Sequence, residues 1–427
     1  MPQAARLPAA LVRTALVRMA QRARVEAVLV SAALFGANAL SYLLNMLAAR
    51  ALAPDVYGTL GSLLAVIVVG AVPAMGMQTV AALHVARAAT GAADGVVSTE
   101  QQLLRTGLGG ATVVGLLAVV ATPLLVALLH LPSGWPVVWL GVALAPLTLL
   151  GVFHGVLQGR RRFAMLALLV GVEGVGKVGG ALTGLFAFHS LAATLAGMAA
   201  GAVLAAGAGW WVCGRRRPQR SPVALAGEVL HASQAILGLV LLVNLDIVLA
   251  RHNLSGAQAG DYAVGVIITK IAYWLPQAVA VIVLPRFVDE RHRRRAVPIA
   301  LAVIALLDAW VVLPTLLYGP AIIRLIGGTR YGEHVTAAWL FALLGSLLAL
   351  VQLLLYSRIA SADRRCASAV WAAVIIEILL VTIWLDDSVT AVASAALTSV
   401  ALLVLAGLAI EYRTARRPLG LLVPGEQ

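Results

Sequence analysis

Long apolar blocks alternate with short polar connections along this chain, from about residue 27 to residue 411. The blocks lie near 27–49, 58–82, 106–130, 136–158, 163–187, 189–212, 228–250, 261–284, 297–318, 336–357, 368–385 and 389–410. Each is close to the roughly 20 residues that, as α-helix, cross a hydrocarbon core of about 30 Å. Helix is the expected form, because a segment in lipid must satisfy its own backbone hydrogen bonds. The period-two alternation of a spanning barrel is missing. The pattern predicts an all-α polytopic membrane protein with about 12 transmembrane helices.

Composition agrees with the pattern. Hydrophobic residues make up 61% of the chain, charged residues 11%, and the mean hydropathy is +0.96. A soluble domain carries roughly 25% charged residues, since its surface faces water. The net charge of +13 would also suit a nucleic-acid partner, but the arginines stand in short clusters between the apolar blocks. With the N-terminus inside, 25 of the 31 Lys and Arg residues fall in the even-numbered connections and the two tails. Only Arg50, Arg251, Arg324 and Arg330 fall on the other side, and Lys177 and Lys270 lie within helices. Under the positive-inside rule this places both termini in the cytoplasm, in a multi-pass protein of the cell membrane, and argues against nucleic acid.

Cys213 and Cys366 fall in basic inner connections, so free thiols are expected. The N-terminal tail, with Arg6, Arg13, Arg18, Arg22 and Arg24, starts like a signal peptide. The apolar block behind it is long and lacks a small-residue cleavage pattern, which predicts a retained first helix. Residues 7–24 suit either an amphipathic helix on the anionic inner leaflet or a disordered tail. No connection reaches domain size. The longest on the far side, about 319–335, suits a short interfacial helix.

The chain also reads as two copies of one six-helix unit. Ala49-Arg50-Ala51-Leu52-Ala53-Pro54-Asp55-Val56-Tyr57-Gly58 is echoed by Ala250-Arg251-His252-Asn253-Leu254-Ser255-Gly256-Ala257-Gln258-Ala259-Gly260. Asn45 and Asn244 precede these stretches, and Pro73 is matched by Pro276 at nearly the same offset. An even number of helices per copy makes the repeat parallel, about a pseudo-two-fold axis normal to the membrane. The predicted organisation is a basic cytoplasmic tail at 1–26, a six-helix half at 27–212 and a basic linker at 213–227. A second six-helix half at 228–411 and a cytoplasmic tail at 412–427 complete it. Transporters place the substrate path between such halves, which points to transport in preference to an anchored enzyme.

The stretch Ala49–Gly58 resembles the first long loop of bacterial polysaccharide flippases in the multidrug/oligosaccharidyl-lipid/polysaccharide exporter superfamily. Gly155-Val156-Leu157-Gln158-Gly159-Arg160-Arg161-Arg162-Phe163 resembles the short inner loop after helix 4. Asn244-Leu245-Asp246-Ile247-Val248-Leu249-Ala250-Arg251 with Gly260-Asp261-Tyr262 resembles the helix 7–8 connection, and Gly327-Gly328-Thr329-Arg330-Tyr331 the loop before helix 10. The resemblance covers about residues 30–410. It implies a V-shaped bundle of two six-helix halves that flips a polyprenyl-diphosphate-linked saccharide outward by alternating access. Some relatives that carry the peptidoglycan precursor have fourteen helices, which argues against that particular cargo for a twelve-helix chain.

Charges inside a bilayer are costly and mark cavities or partners. They are Glu173 and Lys177 in helix 5, Asp246 in helix 7, Lys270 in helix 8, Asp308 in helix 9 and Glu377 in helix 11. Glu173 and Lys177 stand at i, i+4 and can pair. That pair either eases insertion or forms a cavity wall, with Lys177 on a diphosphate and Glu173 exchanging a proton. Asp246 and Lys270 allow the same two readings. Lys177, Lys270, Arg50 and Arg251 are the candidate substrate contacts, and Glu173, Asp246, Asp308 and Glu377 the candidate ion-coupling groups.

Gly171-Val172-Glu173-Gly174-Val175-Gly176-Lys177-Val178 nearly fits a phosphate-binding loop, but Val178 replaces the required hydroxyl and no strand precedes it. No nucleotide is expected. Glycines at four-residue spacing (Gly151, Gly155 and Gly159; Gly176, Gly180 and Gly184; Gly197 and Gly201) suit close helix packing. Pro73, Pro123, Pro146, Pro276 and Pro314 suit kinks. His154, beside Gly155 and close to Gln158, reads as a buried polar contact. No residue set has metal-ligand or catalytic-triad spacing, so no cofactor, metal or catalytic residue is expected.

The leading function is a flippase of lipid-linked saccharide, with membrane lipid and polysaccharide-assembly proteins as its surroundings. A drug or metabolite exporter of the same superfamily is the alternative within transport. A saccharide polymerase or ligase, or a non-transporting assembly subunit, stands in another class.

Overall fold

The computed structural model describes residues 9–89, 93–214, 225–276, 290–331, 337–359, 365–384 and 387–415. Within its helices the side chains of 9–24, 27, 93–95, 235, 290–297, 356–359, 365–367, 411 and 413–415 lie outside the description. The basic linker around Arg215–Arg220, Arg286 and the side chain of Cys366 therefore lie outside the described residues.

The described residues fold into fourteen helices. They are α1 (Ala9–Ala51), α2 (Pro54–Gly70), α3 (Val72–Ala88), α4 (Ala93–Val120), α5 (Thr122–Leu128), α6 (Trp135–Gly159) and α7 (Phe163–Phe188). Then follow α8 (Leu191–Val212), α9 (Ala226–Asn253), α10 (Gly256–Trp274), α11 (Glu290–Gly327), α12 (Ala338–Ile359), α13 (Arg365–Ile383) and α14 (Val389–Ala415).

Ten spans among the described residues are long and apolar enough to cross a membrane, with α2 and α3 counting as one. The two other predicted segments are α10, described as far as Trp274, and α13, whose apolar part is Ser368–Ile383. The protein is an all-α, multi-pass membrane protein. Its exposed side chains fit that medium: Leu204 is 72% exposed and Trp310 77%, positions that water would penalise and lipid does not.

Prolines set the breaks. The α2–α3 pair is interrupted at Ala71, just before Pro73, and α10 stops before Pro276. The α4–α5 pair breaks at Ala121 ahead of Pro123. Pro146 and Pro314 lie inside α6 and α11, and α11 kinks at Tyr318, two residues before Pro320. Each proline lacks an N–H and crowds the carbonyl four residues back. The segment expected to lie at the interface, from Gly319 onward, is the last part of α11. Of the 7–24 segment, Ala9 onward is helix, continuous with the first span.

Three helix ends close on non-glycine residues in the left-handed region: His130, Arg161 and His189. At two of them a backbone N–H reaches back five residues (Leu131 to Val126, Arg162 to Leu157), which satisfies a terminal carbonyl.

The chain gathers into two compact units. The first takes Met1–Leu44, Pro73–Val120 and Val138–Ser233, and the second takes Asn45–Val72, Ala121–Val137 and Gln234–Gln427. In the first unit the glycines do what their spacing predicts. Gly151, Gly155 and Gly159 of α6 stand against the backbone of Ala74, Gln78 and Ala82 on α3. Gly176, Gly180 and Gly184 of α7 stand against Gly201, Gly197 and Ala193 of α8, so close that a Cβ on Gly180 or Gly184 would overlap the facing carbonyl.

The second unit has a broader apolar core. Leu242 and Val243 of α9, Tyr273 of α10, Ile304 of α11, Leu348 of α12, Val374 of α13 and Val400 of α14 all belong to it.

Candidate functional site

Each unit holds its own polar centre. In the first, α6 and α7 bring three ionisable side chains together. Lys177 donates to Glu173 Oε1 at 2.7 Å across one helical turn, and Glu173 Oε2 lies 3.6 Å from His154 Nε2 on α6. His154 is 8% exposed, while the Glu173 and Lys177 side chains are 17% and 23% exposed. The close ride of α6 on α3 through Gly151 and Gly155 fixes the turn that carries His154. Spacing predicted the Glu173–Lys177 pair. The third member comes from another helix and has no sequence spacing to reveal it.

Nearer the end of α6, the Arg160 guanidinium makes an ion pair with Glu100 of α4, whose carboxylate is 3% exposed. Sequence reasoning passed over Glu100. Cys213, free and buried, lies close enough for Arg160 and Glu100 to act on it electrostatically; burial pushes its thiol up to about 11. The expected free thiol is present there.

In the second unit, α9, α10 and α13 bring Tyr262, Lys270 and Glu377 within electrostatic reach of Asp246. Asp246 is 3% exposed and Glu377 fully buried. The Tyr262 hydroxyl donates to Asp246 Oδ2 at 3.0 Å, and its ring meets Phe341 edge-on with centroids 5.1 Å apart. Gly265, one turn along α10, lacks the Cβ that would strike Phe341. Ser399 of α14 lies 3.5 Å from Glu377 Oε2, and Glu377 Oε1 has no hydrogen-bond partner among the described residues.

Buried carboxylates in an apolar span are costly, and Asp246, Glu377 and the Lys270 ammonium are the charges gathered here. Asp246 and Glu377 stand 131 residues apart in sequence, which is why the residues alone left Glu377 without a partner. Asp308 of α11 is also buried, beside Ser346 of α12, and stands outside this group of four.

Arg50 and Arg251 lie elsewhere in the second unit, at the ends of α1 and α9. The Arg50 guanidinium donates to the Leu325 and Ile326 carbonyls, and Arg251 Nε donates to the Leu129 carbonyl at 3.1 Å. The near-match to a phosphate-binding loop at 171–178 lies inside α7, as helix throughout. Among the described residues no cluster of three or more His, Cys, Asp or Glu has the arrangement of a metal site.

Comparison with known proteins bears on this arrangement. The lipid II flippase MurJ in its inward closed conformation superimposes with a TM-score of 0.71 at 13% identity. The match covers 92% of this chain and 88% of that one. An inward-facing multidrug resistance MATE family transporter of the MOP superfamily gives 0.67 at 12% identity, over 88% and 94% of the two chains. A variant of the Vibrio cholerae MATE transporter VcmN gives 0.62 at 15% identity, over 94% and 98%.

The fold is that of the multidrug/oligosaccharidyl-lipid/polysaccharide exporters.

No family model matches the sequence, and no curated protein matches it. At identities this low the exporter fold is carried by helix order and packing, with the motif residues left to be judged one at a time.

Proposed function

We propose that this protein is a transporter that moves its cargo across the cytoplasmic membrane by alternating access, driven by an ion gradient, with both termini in the cytoplasm. The observation that carries the reading is the buried Asp246–Glu377 pair with Tyr262 and Lys270 around it. Charges buried among apolar helices are expensive, and a group that exchanges a proton or cation gives the expense a use. The exporter fold supports the same conclusion, and short connections leave no room for a catalytic domain.

For the cargo, the favoured class is a polyprenyl-diphosphate-linked oligosaccharide or polysaccharide precursor. Lys177 is the candidate diphosphate contact, with Glu173, itself close to His154, holding its ammonium in place between cargoes. A diphosphate would compete with Glu173 for that ammonium, which couples cargo arrival to release of the carboxylate. A drug or metabolite exporter is the second reading, and one observation favours it: Lys177 is already neutralised by Glu173, so the site is not an open cationic surface.

The deciding experiment is a lipid analysis of the host with this gene deleted. Lipid-linked saccharide accumulating on the inner leaflet, relieved by the wild-type gene and not by Lys177→Ala, supports the flippase. An unchanged lipid pool with new sensitivity to toxic organic cations transfers support to the exporter reading.

A further inference from the structure

Arg50 and Arg251 are pseudo-equivalent residues, each closing a first helix of its repeat. Their partners are pseudo-equivalent too. Arg50, from the first copy, donates to the last carbonyls of α11, at Leu325 and Ile326. Arg251, from the second copy, donates to Leu129 at the end of α5, and His252 Nδ1 meets the Leu128 carbonyl at 2.9 Å. Both helix ends finish on a left-handed residue, His130 in the first copy and Gly328 in the second. Each repeat's arginine thus caps the third helix of the other repeat. Terminal carbonyls are the unsatisfied, negative end of a helix, and a guanidinium fork suits them.

Between the two caps, α2 and α10 cross at the repeated glycines. A Cβ on Gly58 would stand 2.8 Å from the backbone of Ala259 and Gly260, and one on Gly260 would overlap the Pro54 carbonyl. Gly256 lies against Asp55, at 2.9 Å from a built Cβ to the Asp55 Cβ. All these residues belong to the second unit, which is why Asn45–Val72 and Ala121–Val137 pack with the C-terminal half.

We propose that Arg50 and Arg251 form a reciprocal latch that holds the α2–α10 crossing shut, and that this end of the protein opens when both caps release together. This rests on the alternating-access reading above for its purpose, and on the proposed orientation for the side it faces. The reciprocity gives the device its sense. Because each copy holds the other, neither cap can release alone without the glycine crossing still tying α2 to α10. The two arginines are positioning groups here, with the main chain as their partner in the closed state.

The test uses the full-length protein in intact cells, with Cys366→Ser as background. Ala263 of α10 is 2% exposed and faces Gly61 of α2, so Ala263→Cys reports opening of the crossing through labelling by a membrane-impermeant maleimide. Arg50→Gln and Arg251→Gln should each raise the labelling rate, by roughly tenfold for loss of charge-assisted hydrogen bonds. The double variant should raise it further. Arg324→Gln is the control, since among the described residues the Arg324 side chain donates to Pro320 of its own helix alone, and should change nothing.

Equal labelling in parent and Arg variants overturns the latch, and a rise in only one of the two overturns its reciprocity. Folding is checked separately by thermal unfolding of each purified variant in detergent, where a single cooperative transition like the parent's is expected. Labelling that rises only in inverted vesicles moves the latch to the inner side and refutes the proposed orientation alone. None of these readouts depends on the cargo, so failure of the flippase reading leaves them intact.

Discussion

Glu377 has no polar neighbour within its own helix turn, yet the fold sets it near Asp246, which is bonded to Tyr262. Amide substitution separates the roles these groups share. Glu377→Gln should abolish ion coupling while leaving thermal stability unchanged or higher, because it replaces a fully buried carboxyl near Asp246 by a neutral amide of the same size. Transport driven by an imposed gradient in proteoliposomes, with unfolding followed in detergent, checks both halves of that statement. Undiminished coupling in Glu377→Gln and in Asp308→Asn would remove both from the list of coupling groups. Arg160→Ala should act in the opposite sense. It removes the guanidinium that faces the buried Glu100 carboxylate, 3% exposed, at a cost of about 3 kcal/mol. Cys213 gives a pH signature. Its thiol is raised to about 11 by burial, and only the thiolate reacts, so modification should be negligible near neutrality and accelerate as pH approaches 11. Measurable alkylation of Cys213 at neutral pH in the folded protein would show that burial is incomplete.

At the scale of elements, the α7–α8 contact is the most tightly specified. Gly180 and Gly197 face each other through backbone alone, so neither tolerates a side chain without separating the helices. Lipid gives two helices no hydrophobic reason to associate, which leaves close backbone packing as the main attraction. Gly180→Leu should therefore destabilise the protein by about 1–3 kcal/mol, read as a lowered Tm in detergent. Gly179, one residue away with open space beyond it, should accept Ala with little effect. Four-residue spacing marked these helices as packing surfaces. It did not say which helix faced which, because Ala74, Gln78 and Ala82, the partners of the α6 glycines, leave no distinctive pattern of their own.

For the whole molecule, the exporter fold unites a repeat visible in sequence with contacts that cross it. A disulfide formed by the Asp55→Cys/Gly256→Cys pair should arrest transport, and a reductant should restore it. Transport that continues with the cross-link complete would show that the crossing does not open during the cycle. The same contacts explain why the second unit draws Asn45–Val72 from the first half. Arg50 and Arg251 were paired by sequence as members of a repeat and grouped as substrate contacts. The structure places each against a helix end of the opposite copy.

The sequence by itself determined the membrane class, the all-helical fold and the Glu173–Lys177 pair, and it carries the offset on which the repeat is read. All of these follow from local rules: apolar length against bilayer thickness, a common offset, and the i, i+4 geometry of one helix. Only the tertiary structure decided that His154 joins that pair, that Asp246 comes within electrostatic reach of Glu377, and that Arg50 and Arg251 reach helix ends far away in the sequence. Those contacts join residues from roughly 20 to more than 270 positions apart. In a chain with so few polar groups, many helix arrangements bury the same apolar faces equally well, so hydrophobic pattern cannot choose between them. Glycine backbones and buried charges make that choice, and they act only once the helices have met.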